Sequence, residues 1–257
     1  MSGIMMLKMP YGPIKSYWKS PSSNPRIRTG EIHIWRILLD PSREKTSSNR
    51  RVLSQSENRR ADRYIRDIDR FRFISGRSAI RTILGQYLNI KASKIKMLTN
   101  PQGKPFLKES SNLRFNLSHS ENYAVLAVTK IYPIGIDLEF THAIKEMNTL
   151  VMQYFSTNEI EQYRSLPEDL QIKGFFNGWT AKEAFVKALG KGFSLPLNQF
   201  SLSLIPDKPV VLITSNLDSI SQRQWTFFRL EPINGSICTV AVQSKDIKSI
   251  KIWDFQR

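Results

Sequence analysis

Ile134-Gly135-Ile136-Asp137-Leu138-Glu139 alternates apolar and acidic residues, and a period of two marks a strand with one buried face. Ile136 and Leu138 then turn to the core, while Asp137 and Glu139 sit side by side on the opposite face. Two carboxylates about 4 Å apart repel by roughly 4 kcal/mol at an effective dielectric near 20. A divalent cation converts that repulsion into a binding site, and hard carboxylate oxygens favour magnesium or calcium. Taken alone, the segment is better read as a strand end whose acids are solvated or paired with an arginine.

Forty residues on, Trp179-Thr180-Ala181-Lys182-Glu183-Ala184-Phe185-Val186-Lys187 reads as helix. Glu183 and Lys187 are four apart and share a face, where such a pair is commonly solvated and worth about 0.2–0.5 kcal/mol. Trp179, Phe185, Val186 and Leu189 argue for a largely buried helix, in which an ion pair is either costly or useful. The solvated and the functional readings stand level. Upstream, Ser118-His119 follows the strand-like Phe115-Asn116-Leu117, with Lys104 fourteen residues before Ser118. A cation, a hydroxyl and an imidazole at strand ends suit a phosphate pocket. Ser118, His119 and Asp137 also supply the types of a catalytic triad. Adjacent residues of an extended chain point to opposite sides, however, and no nucleophile-elbow sequence surrounds Ser118. An ordinary hydrogen-bonded histidine is the plainer reading of His119.

Around these segments the pattern is α+β. Residues 1–30 read as an irregular leader and Glu31–Leu39 as a first strand. Ser42–Asn49 is a polar loop, and Ser54–Tyr87 is helical with a break near Asp67–Asp69. Leu113–Leu117 and Tyr123–Val128 read as strands joined by the polar run Ser118–Asn122. Helices follow at Ile144–Tyr154, Thr157–Ser165 and Gln171–Leu189. Ser156 or Thr157 is placed to cap the second, and Gly190 to end the third. Short alternating segments fill Phe200–Trp253. No internal repeat is visible in the sequence.

Composition narrows the class. With 257 residues, 40% hydrophobic, the chain is a folded protein of one or two domains. Its apolar runs are too short to span a bilayer, and Lys8 and Pro10 interrupt any secretory segment near Met5–Met9. A single cysteine, Cys238, excludes an internal disulfide framework and a cysteine zinc site; a reducing cytoplasm is expected. Thirty-eight Lys and Arg against 22 acids give a net charge of +16, a surface that attracts polyanions. Ten arginines and four acids lie between Arg50 and Arg81.

In order and spacing, four segments resemble the Sfp-type 4'-phosphopantetheinyl transferases over about Ser54 to Leu204. They are Gly103-Lys104-Pro105, Phe115 to Ser120, Ile134 to Glu139, and Trp179 to Lys187 running on to Leu197. The resemblance implies two similar α+β halves related by a pseudo-twofold axis, with coenzyme A in the cleft between them. The boundaries expected are 31–132 and 133–257, the second half carrying a C-terminal extension that packs back on the first. It implies that Asp137, Glu139 and Glu183 bind Mg2+ and that Glu183 is the residue to deprotonate the acceptor serine; metal ligand, base, or both in turn are all open to Glu183, since a carboxylate committed to metal is a weak base. Lys187 then assists the departing 3',5'-ADP. Ser118 and His119 are implied as phosphate contacts, Lys104 as a contact to the adenine nucleotide, and Arg72, with Arg60 more loosely, as the site of the ribose 3'-phosphate. A monomer acting on an acidic acyl or peptidyl carrier protein is expected. The arginine-rich helix alone also suggests nucleic-acid binding, but the aromatics are spaced as core residues and no such motif occurs. A metal-dependent phosphodiesterase needs further ligands, and His33 and His142 form no metal-binding pattern.

Overall fold

The computed structural model describes residues 4–6, 18–21, 24–39, 46–108, 112–192, 195–215 and 224–255. Strands β1 (Ile4–Met6) and β2 (Glu31–Leu38) precede helices α1 (Thr46–Arg50), α2 (Gln55–Ala61) and α3 (Asp67–Leu88). A 3-10 turn at Ala92–Lys94, the hairpin β3 (Met97–Thr99) and β4 (Pro105–Leu107), and strands β5 (Leu113–Ser120) and β6 (Tyr123–Lys130) follow. The same succession then recurs. Strand β7 (Ile134–Phe140) leads to α4 (Met147–Tyr154), α5 (Thr157–Arg164) and α6 (Glu168–Leu189). After a 3-10 turn at Leu197–Gln199 come the hairpin β8 (Phe200–Leu202) and β9 (Leu212–Ser215), then β10 (Thr226–Leu230) and β11 (Ser236–Val242). A last strand, β12 (Ser249–Phe255), has no counterpart among the described residues.

Pairing repeats with the order of elements. β2 is antiparallel to β6 and β6 to β5, as β7 is to β11 and β11 to β10. α3 and α6 are both 22 residues long, and each ends on a left-handed residue, Asn89 or Gly190. The sequence conceals this repeat because few side chains carry it. Ser54 and Glu57 form a capping box at α2, Ser156 and Glu159 another at α5. Each box glutamate then holds a cation of the long helix: Glu57 lies 2.7 Å from Arg81 Nε, and Glu159 2.6 Å from Lys182 Nζ. Both cations also bind the 3-10 turn that follows. Arg81 donates to the carbonyls of Ala92 and Ile95, Lys182 to those of Leu197 and Phe200. The arginine and the lysine make equivalent clamps from dissimilar local sequence.

Alternation sets the layers. Ile32 and Ile34 of β2 meet Ile136 and Leu138 of β7 and Val240 of β11 in a core shared by the two sheets. Trp35 and Ile37 of β2 face Ala79, Ile80 and Ile83 of α3 instead. α6 covers the outer face of the second sheet through Ala181, Ala184 and Phe185. The sheets therefore lie between the long helices, with β5 and β7 side by side.

Several expectations shift. β5 runs on through Ser118 to Ser120, and the turn is only Glu121-Asn122, with Glu121 at φ 51°. The leader is not wholly irregular: β1 pairs with β12, and Lys19 bridges Trp253. β12 inserts parallel to β2, so the C-terminal strand completes the first sheet. Of the expected loop Ser42–Asn49, the part from Thr46 is helix α1; residues 42–45, like Phe193 and Ser194 of the motif, lie outside the described residues.

Candidate active site

Gly135 is what lets the site assemble. A Cβ at this position would overlap the Ala184 carbonyl oxygen and the Ala188 nitrogen of α6, so only glycine allows the helix so close to β7. Two residues on, Asp137 shares the face of Gly135 and meets the last turns of α6. Lys187 Nζ donates to Asp137 Oδ1 at 2.6 Å and to Ser118 Oγ at 3.1 Å, while Ser118 Oγ donates to the same Oδ1 at 2.8 Å. One turn earlier on α6 stands Glu183. Ser120 Oγ donates to Glu139 Oε2 at 3.0 Å, and Asn116 Oδ1 accepts from the Ile136 backbone at 2.8 Å. The β5–β7 seam is thus closed by side chains at every second residue of β5, which fixes Ser118 against Asp137.

Burial shapes the charges. Burial pushes the Glu139 carboxyl above its ordinary value, and the neighbouring Asp137 charge adds to the rise. Burial raises Glu183 as well; Lys187 opposes the rise and Asp137 reinforces it. For Lys187, burial pulls down, but the Asp137 carboxylate beside it prevails and holds the ammonium charged. Asp137 Oδ2 is buried without a hydrogen-bond partner. Among the described residues no three His, Cys, Asp or Glu side chains converge to hold a metal ion by themselves.

Beside this cluster opens a cavity of about 490 Å³, lined by Arg60, Tyr64, Arg72, Phe73 and Arg77, and by Ser118, His119 and Lys187. The Arg60 and Arg77 guanidinium carbons lie 5.1 and 5.5 Å from the Phe73 ring centroid, a stacking that orients both cations. Arg72 donates through Nε and Nη2 to Asn122 Oδ1. Burial lowers the Arg77 pKa, with the nearby Arg60 and Arg81 contributing and Glu57 opposing. Three arginines and Lys187, with the Ser118 hydroxyl and the His119 imidazole, outweigh Asp69 and Glu121 of the same lining and make a receptor for a multiply charged anion.

Lys104 is elsewhere. The 100–103 turn tucks its ammonium under the C-terminal end of α6, where it donates to the carbonyls of Ala188 and Ile134. Those carbonyls lie where a helix end and a strand start need donors. Burial brings the Lys104 pKa to about 8, Arg114 adding to the effect. Its side chain lines a neighbouring cavity of about 520 Å³ with Phe106, Lys108 and Arg114. The single phosphate pocket read for Lys104, Ser118 and His119 is therefore divided in two.

Two family models match consecutive parts of the chain. The 4'-phosphopantetheinyl transferase N-terminal model covers residues 38–131, and the 4'-phosphopantetheinyl transferase superfamily model covers 133–241. The 4'-phosphopantetheinyl transferase HetI of a Nostoc species is 36% identical over 88% of this chain and 93% of its own. The chain belongs to the 4'-phosphopantetheinyl transferase superfamily. Sfp of Bacillus subtilis is 30% identical over 70% of this transferase and 80% of its own length. The human L-aminoadipate-semialdehyde dehydrogenase-phosphopantetheinyl transferase is 29% identical over 80% and 72%. In the transferase described here, Arg77 and Phe73 went unread in the sequence. The available signal was spacing, since Phe73 and Arg77 stand four apart on α3, hence on one face. Their convergence with Ser118 and Lys187 depends on how the two sheets meet.

Proposed function

We propose that the transferase moves the 4'-phosphopantetheine arm of coenzyme A onto a serine of an apo carrier protein at the junction of β5, β7 and α6. The observation that supports this placement is the Ser118–Asp137–Lys187 cluster in the wall of an arginine-lined cavity. Coenzyme A carries phosphates at two places, and the cavity offers cations for one and the cluster for the other. Arg60, Arg72 and Arg77 take the ribose 3'-phosphate, Ser118 and His119 the pyrophosphate, and Lys104 borders the adenine nucleotide from the adjoining cavity.

In the reaction the acceptor serine oxygen bonds to the β-phosphorus and the phosphoanhydride bond to 3',5'-ADP breaks. The serine proton passes to Glu183, whose burial makes it a stronger base than an exposed glutamate. Lys187, kept charged by Asp137, meets the negative charge that grows on the departing phosphate. Asp137, Glu139 and Glu183 would hold magnesium. The donor set fits a hard cation: Asp137 Oδ2 is buried and unpartnered, and the carboxylates destabilise one another's charge. Magnesium commonly uses one or two carboxylates plus substrate phosphates, so a closed three-acid cage is not required. When bound it supplies charge neutralisation on the pyrophosphate.

A net charge of +16 favours encounter with an acidic carrier. The buried, unbridged Cys238 agrees with a reducing cytoplasm, where the transferase acts as a monomer. Intact-mass spectrometry of an apo carrier protein incubated with the transferase, coenzyme A and magnesium tests the reading. One added phosphopantetheine, lost with EDTA or with Asp137→Ala, is the expected result. Transfer that survives EDTA and Asp137→Ala would remove the assignment of these acids to the chemistry.

A further inference from the structure

The arginine excess between Arg50 and Arg81 divides into two groups in space. Each of the four acids in that stretch is already matched: Asp62 by Arg50, Asp67 by Arg70, Asp69 by Arg66 and Glu57 by Arg81. Arg60, Arg72 and Arg77 turn to the cavity. Arg51, Arg59 and Arg63 remain, all exposed, and none has an acidic partner among the described residues. Between the last of these and the start of α3 lies Ile65, which is 96% exposed, followed by Ile68 at 40%. A wholly solvated aliphatic side chain among unpaired guanidinium groups gains nothing from the fold. It is the arrangement of an apolar anchor with a charged rim.

We propose that this elbow between α2 and α3 is where the acidic acceptor protein docks, Ile65 entering between apolar side chains of an acceptor helix while Arg59 and Arg63 meet its flanking carboxylates. The proposal rests on the transferase reading above. Continuity with the cavity favours a protein acceptor over other polyanions. Arg60 and Tyr64, chain neighbours of Arg59, Arg63 and Ile65, line the space assigned to the donor, and an acceptor has to come to the donor. Nucleic acid is disfavoured because the elbow offers no free aromatic face for stacking. Tyr64, the one aromatic there, packs on Phe73 at 5.4 Å between centroids.

The test uses the full chain with two variants, Ile65→Glu and the double variant Arg59→Glu/Arg63→Glu, all at exposed positions outside the cavity lining. Steady-state transfer is measured with an apo carrier protein varied at saturating coenzyme A, and the reverse. The expected result is a KM for the carrier raised about tenfold or more in both variants, with KM for coenzyme A unchanged. The salt dependence of the carrier KM should also flatten in the double variant. Unchanged carrier KM values overturn the docking surface and leave the transferase reading intact. No transfer by the unaltered chain to any carrier removes both. Flotation with phosphatidylserine vesicles completes the experiment: binding lost in Ile65→Glu, with carrier KM unchanged, assigns the elbow to membrane and overturns the proposal.

Discussion

Glu183 is held in a state the fold disfavours, and that has opposite consequences for stability and for turnover. Its folded pKa lies above the ordinary 4.5. The stabilising contribution of such a group is therefore complete below 4.5 and is lost as pH rises through the folded pKa. At pH 7.5 and without magnesium the ionised carboxylate costs stability, and Glu183→Gln is expected to raise the metal-free Tm, by about 2–4 °C for each kcal/mol relieved, while abolishing turnover. A melt at pH 7.5 beside an intact-mass assay checks both arms; an unchanged or lower Tm would show that the carboxylate is not strained.

At the scale of elements, α6 is fixed by two devices that sit next to the chemistry. Gly135 brings β7 against the helix, and Lys182, fully buried beside Glu183, ties the helix to Glu159 of the α5 capping box and to the 3-10 turn. Removing one member of a buried pair leaves the other charge uncompensated, typically at about 3–5 kcal/mol. Glu159→Gln is expected to lose stability in that range by urea unfolding. Glu57→Gln should lose less, because Glu57 is partly exposed where Glu159 is not. Equal losses would mean that burial does not set the energy of the two clamps. The capping boxes were half legible, since Ser156 announces a helix start. That their glutamates reach cations more than twenty residues on is a matter of packing, which no local pattern encodes.

Across the whole molecule, one point sensitive to acid is the seam that joins the C-terminal strand to the first sheet. His33 of β2 sits opposite Lys251 of β12, buried, its Nδ1 2.7 Å from the Tyr87 hydroxyl. Trp35 Nε1 donates to the same hydroxyl at 2.9 Å, so Tyr87 ties both β2 side chains to α3. Burial, then Lys251, lowers the His33 pKa to about 4, against the pull of Glu31. A depressed pKa gives stability that is present above 6.5 and lost as pH falls toward 4, here about 3 kcal/mol. His33→Gln should remove that slope from urea midpoints measured between pH 7 and 4, and an undiminished slope would place the acid sensitivity elsewhere. The sequence by itself determined the strand at Ile134–Glu139, the helix carrying Glu183 and Lys187, and the family, because alternation, helical spacing and motif order are local properties of a chain. Only the tertiary structure decided that Ser118 meets Asp137, that Lys104 turns to the end of α6, that Arg77 joins the cavity, and that β12 completes the first sheet. Each of those depends on which edges and faces come together between separate sheets or between elements far apart in the chain, 84 residues for Lys104 and Ala188. Burial of surface sets that choice, and no window of sequence contains it.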